Sequence, residues 1–74
     1  SDRSQHLMLL NRLGSLQKAS GDLAGAEKSY QRAMEIATIL HGERDPEVAT
    51  AANNLGVTYT EMLDLVKAEN LHMQ

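Results

Sequence analysis

Apolar residues recur along this chain at three- and four-residue intervals, and no segment shows the strict alternation of a strand. Leu7, Leu10, Leu13 and Leu16 form the first stripe, widened by Met8 and Leu9. They predict a helix that starts near Asp2, where Asp2 and Gln5 have the spacing of a capping box and Ser4 is a competing cap. The pattern breaks at Ala19-Ser20-Gly21-Asp22. Gly21 can take the left-handed conformation that ends a helix, and the Asp22 carboxylate can accept from the free N–H groups that open the next one. A second helix follows, with Leu23, Ala26, Tyr30, Ala33, Met34, Ala37 and Leu40 on one face, and it should fade near His41-Gly42. The chain up to His41 therefore reads as a helical hairpin.

The charged segment His41-Gly42-Glu43-Arg44-Asp45-Pro46 restarts the pattern. Gly42 is suited to stop the second helix and Asp45 to cap a third. Pro46 fits the first helical position, where its missing N–H costs nothing, and Glu47 meets the positive end of the helix dipole. The third helix should run through Tyr59 and Met62. A fourth is expected from about Asp64-Leu65, with Leu65, Ala68, Leu71 and His72 facing inward.

A repeat underlies this layout. At an offset of 42 residues, Asn11/Asn53, Leu13/Leu55, Gly14/Gly56, Asp22/Asp64, Leu23/Leu65, Ala26/Ala68 and Glu27/Glu69 are identical. These identities fall where two helices would cross, at a helix cap and on a close-packed face, so the chain is an internal duplication. The expected architecture is all-α: two tandem antiparallel helix-turn-helix hairpins, repeat 1 at about 3–41 and repeat 2 at about 45–74 with its last helix truncated, within a single domain spanning 1–74. With aromatic residues at 3%, Leu, Ile, Met and Ala must fill the core. Met8, Met34, Met62 and Met73 suit core or groove filling.

Composition narrows the function. The seven Lys and Arg residues are scattered and the net charge is −3, which argues against a nucleic-acid partner. No apolar run approaches the roughly 18 residues of a membrane span, so no membrane role is expected. The absence of cysteine rules out disulfides and zinc-thiolate sites and fits an intracellular, cytoplasmic setting. His6, His41 and His72 lie far apart, with no metal-ligand spacing among them. Asp22, Asp45 and Asp64 are better used as caps than as paired acid and base. Nucleophile-elbow and phosphate-loop patterns are missing as well. The chain is expected to be no enzyme and to need no metal or cofactor.

The duplicated Leu-Gly, with a small Ala and an aromatic on the second helix, resembles the tetratricopeptide repeat. The resemblance covers Leu13-Gly14, Gly21, Ala26, Tyr30 and Ala33 in the first unit, and Leu55-Gly56, Tyr59 and Ala68 in the second. The 42-residue period exceeds the usual period of about 34. Together with the Asp45-Pro46 seam it looks like the kinesin-light-chain type of these repeats. Three departures stand out: Gln17 and His72 occupy aromatic positions, and Leu63 occupies the turn glycine.

The resemblance implies a right-handed α-solenoid fragment whose first helices line a concave groove for an extended peptide or a partner helix. Carried over by position, the groove residues are Met8, Asn11, Arg12, Ser15 and Lys18, then Thr50, Asn53, Asn54, Val57, Thr60 and Glu61. Asparagine suits such a groove because its amide both donates and accepts. Asn54 matches one asparagine of the family's carboxylate clamp, but Asn11 and Ser15 replace the clamp's Lys and Asn. Arg12 and Lys18 still favour an acidic partner. A second reading follows from stability: two repeats fall short of the roughly three that a solenoid needs. Leu65, Leu71 and Met73 would then mediate self-association into a homo-oligomer, as a dimer or by helix exchange.

Overall fold

The computed structural model describes the backbone of residues 2–73 and the side chains of residues 3–70. It consists of three helices, α1 (Asp2–Ala19), α2 (Leu23–His41) and α3 (Pro46–Met73). Its extents are 51 × 22 × 12 Å and its radius of gyration is 13.9 Å, against about 11 Å for a compact chain of this length. Both α1 and α3 pack against α2.

The two turns form as the sequence predicts. Gly21 takes φ +92, its N–H donates to the Lys18 carbonyl at 3.1 Å, and the Asp22 carboxylate accepts from the Gly25 N–H at 3.0 Å. Gly42 takes φ 88 and ψ 163, a region open essentially to glycine alone, while its N–H donates to the Thr38 carbonyl at 2.9 Å. The Asp45 carboxylate then accepts from the Glu47 N–H at 2.8 Å, and Pro46 opens α3. Ser4 lies inside α1 and is not its cap, and the Asp2 side chain is outside the described residues.

Two clusters make the core. One joins Leu7 to Ala33, Ile36 and Ala37, with Leu10, Leu40 and Val48 against them. The other joins Ala26 and Tyr30 to Leu55, with Met34 alongside. The predicted α2 face is therefore the buried one, enlarged by Ser29 and Ile36. The leucine stripe of α1 needs correcting. Leu7 is buried and Leu10 half-buried, but Leu13 and Leu16 are 45% and 68% exposed. Each residue turns the helix by about 100°, so a strict three-residue spacing drifts by about 60° per step and leaves Leu16 opposite Leu7. The buried side of α1 is instead Leu7 and Gly14, with Asn11, Gln17 and Lys18 half-buried beside them.

The second hairpin also needs correcting. No turn occurs near Leu63-Asp64, and α3 continues through it, 28 residues in one helix. The duplicate of Leu63 is Gly21, whose positive φ would strain any L-residue by roughly 1–2 kcal/mol. Leucine is also among the better helix formers. The expected fourth helix is thus the C-terminal part of α3. Leu65 and Ala68 there are exposed rather than inward-facing, while the side chains of Leu71, His72 and Met73 lie outside the described residues.

The duplicated glycines show the same asymmetry. A Cβ on Gly14 would meet Cε1 of Tyr30 at 2.7 Å, whereas one on Gly56 would meet nothing within 4 Å. Gly14→Ala should therefore destabilise the fold by about 1–3 kcal/mol through overpacking. Gly56→Ala should leave stability unchanged or raise it by up to about 1 kcal/mol through helix propensity. Chemical denaturation of the two variants checks both values.

Candidate functional site

An open cleft of about 780 Å³ runs between α1 and the start of α3. On α1, Ser4, Met8, Asn11, Arg12 and Ser15 share the face that lines it, because i, i+3 and i+4 positions stack along a helix. Gln5, Leu7 and Leu16 complete that wall, and Glu47 and Thr50 supply the opposite one. Beyond the cleft, Lys18 Nζ reaches Glu61 Oε1 at 3.7 Å and ties α1 to α3. At the α3 start, His41 Nε2 lies 3.1 Å from Glu47 Oε2.

The polar groups on the cleft walls differ in their commitments. Ser15 Oγ is 3.0 Å from the hydroxyl of the buried Tyr30, which fixes it against α2. Thr50 Oγ1 donates to the Pro46 carbonyl at 3.0 Å and keeps its acceptor capacity. Arg12 is exposed, with no carboxylate in salt-bridge range among the described residues. Asn11 is the misfit. Its Oδ1 is shut off from solvent and has no hydrogen-bond donor among the described residues. Such an orphan typically costs about 1–3 kcal/mol.

Of the residues carried over to a groove, Met8, Asn11, Arg12, Ser15 and Thr50 meet at the cleft. Lys18 and Glu61 pair with one another across the helices. Asn54 is half-buried, and Asn54 and the exposed Val57 extend the line of Glu47 and Thr50 at three- and four-residue steps. Asn53 is exposed and turned about 100° from Asn54. Thr60 is exposed, its hydroxyl bonded to the Gly56 carbonyl at 3.0 Å. Sequence reasoning missed Ser4, Gln5 and Glu47, although Glu47 stands three residues before Thr50 and Ser4 four before Met8. It also placed Leu7 and Leu16 only in the core. No group of three or more His, Cys, Asp or Glu suited to a metal ion exists among the described residues.

Residues 5–74 match the family model of the tetratricopeptide repeat. The chain belongs to the tetratricopeptide repeat family. No curated protein and no solved structure matches it. In this tetratricopeptide repeat protein, Gln17 replaces the first-helix aromatic with a polar latch: its amide lies 2.6 Å from the hydroxyl of the buried Ser29. With the amide turned, its nitrogen also donates to the Gly25 carbonyl at 3.1 Å. No helix among the described residues is long and apolar enough to cross a membrane.

Relieving the orphan on the cleft wall should stabilise the chain. Asn11→Leu keeps the side chain's branching and number of heavy atoms and removes the buried acceptor, so unfolding free energy should rise by about 1 kcal/mol. Urea denaturation measures this, and a fall would mean that Asn11 is satisfied in solution.

Proposed function

We propose that this chain is a non-catalytic protein-interaction module that holds an extended peptide or a helix of a partner protein in the α1/α3 cleft. Tetratricopeptide repeats generally mediate protein–protein interaction. The observation that carries the reading is the cleft itself, with apolar Leu7, Met8 and Leu16 beside polar Asn11, Arg12 and Thr50. A pocket with an apolar lining and a few convergent polar groups is the usual form of a binding site. The polar residues orient the ligand and the apolar residues supply affinity. Arg12, with no carboxylate in reach, favours an acidic group on the ligand near the middle of α1, while Glu47 favours a donor at the α3 wall. Asn54 and Val57 extend the same line beyond Thr50. The repeat limits, 3–41 and 45–74, rest on the 42-residue duplication, and the Asp45-Pro46 seam supports the kinesin-light-chain type.

Peptide display against the folded chain tests the proposal. Acidic peptides with apolar anchors should be enriched, and Arg12→Glu should weaken them at least tenfold without lowering the melting temperature. Equal loss of binding and of fold would show Arg12 to be structural and would remove the support for this cleft.

A second reading, association between copies, is favoured by the exposed end of α3, where Leu63, Leu65 and Val66 are each about half exposed. Sedimentation of the chain over a wide concentration range tests it. A mass that stays at the monomer value throughout would end it.

A further inference from the structure

The stripe left on the outside of α1 has a counterpart inside the fold. Leu9, Leu13 and Leu16 are 60%, 45% and 68% exposed, all on the side of α1 turned away from Leu7, with Leu16 also at the rim of the cleft. Advanced by the 42-residue duplication they become Ala51, Leu55 and Thr58, which are all buried. Leu55 packs against Ala26 and Tyr30 in the interface of α3 with α2. The α1 stripe is therefore in register with a surface that docks on an α2-type helix.

The chain also carries a second α2-type surface. Asp64, Leu65, Ala68 and Glu69 repeat Asp22, Leu23, Ala26 and Glu27. Leu65, Ala68 and Glu69 fall on one face of α3 at three- and four-residue steps. That face continues the docking stripe of Ala51, Leu55, Thr58 and Met62, and all three residues are exposed. The duplicate of Ala68, Ala26, is 0% exposed because Tyr30 and Leu55 cover it. Because α3 continues as one helix through Leu63, the segment is not folded back on its own helix and its exposed face is free to be covered by another one.

Resting on the association reading, we infer that a second copy of this chain docks head to tail. The Leu9-Leu13-Leu16 face of its α1 covers the Leu65-Ala68 face of α3, as α3 covers α2 within each copy. The contact joins two different surfaces. Each assembled pair therefore keeps one free head and one free tail, and growth continues beyond the dimer. This separates it from a two-fold pairing of α3 with α3, which would stop at two.

Sedimentation equilibrium of the full chain with Leu13→Glu and Leu65→Glu gives the test, because the first variant lacks a head and the second a tail. The wild type should exceed twice its 8.1 kDa mass as concentration rises, and each variant alone should stay monomeric. Their equimolar mixture should recover association and halt at twice the monomer mass. Circular dichroism checks that each variant is folded, and Leu9→Glu, at a more exposed position, replaces Leu13→Glu if that variant is not. A wild type that stays monomeric overturns this inference and the association reading together. Association that persists in Leu13→Glu, or a mixture that stays monomeric beside an associating wild type, overturns the head-to-tail contact alone.

Discussion

Everything in this fold is registered by the approach of Tyr30 to Gly14. With hydrogen in place of a side chain, α1 comes close enough for the tyrosine ring to lie over its backbone, where a Cβ would stand 2.7 Å from the ring. Burial of a ring of this size stabilises the crossing by roughly 2–3 kcal/mol. The ring's hydroxyl reaches across to Ser15 at 3.0 Å, so its polar end is not stranded. One turn on, the Gln17 amide meets Ser29 at 2.6 Å and fixes the axial register of the same pair. On the other side of Tyr30, Leu55 seats α3. One tyrosine thus joins all three helices, which suits a chain that has only two aromatic residues.

Turn chemistry decides how far the duplication is realised in space. Gly21 and Gly42 both sit at positive φ, and each releases the chain into a reversal. Leu63 stands at the third such point and offers neither the conformational freedom nor a loss of helix propensity. Asp64 keeps the carboxylate that could have capped a new helix. A cap needs a break to act on, and α3 passes straight through. The outcome is a filled glycine contact in the first half of the chain and an open one in the second.

The cleft follows from the shared support of α2. Both α1 and α3 rest on α2, so their facing sides form the walls of a groove rather than part of a core. The Lys18–Glu61 pair spans them at 3.7 Å in a half-exposed setting, where such a pair adds at most about 1 kcal/mol. It acts more as a tie than as a source of stability. Asn11 sits where the wall meets the α2 interface, and there its Oδ1 is removed from water without a donor. The strongest polar mismatch among the described residues therefore lies at the site read as functional.

Local chemistry that acts within a few residues was legible in the sequence. The α1/α2 hairpin, the Asp22 cap, the Gly42 stop, the Asp45-Pro46 start and the apolar face of α2 follow from nearest-neighbour constraints and helical period. The duplication, and through it the family, follow from identity at a fixed offset. Tertiary packing alone decided which side of each outer helix is covered. Leu13 and Leu16 share a stripe with Leu7 on paper, yet the angular drift of a three-residue spacing carries them to the surface. Leu63 marked the second turn as unusual, but whether the segment folds back depends on what it would pack against, a balance no local pattern contains. The cleft was half legible: Met8, Asn11, Arg12, Ser15 and Thr50 meet there, while Lys18 and Glu61 satisfy each other and Asn53 turns away. Helical period fixes which residues share a face, but only the placement of neighbouring helices decides which face looks onto a partner.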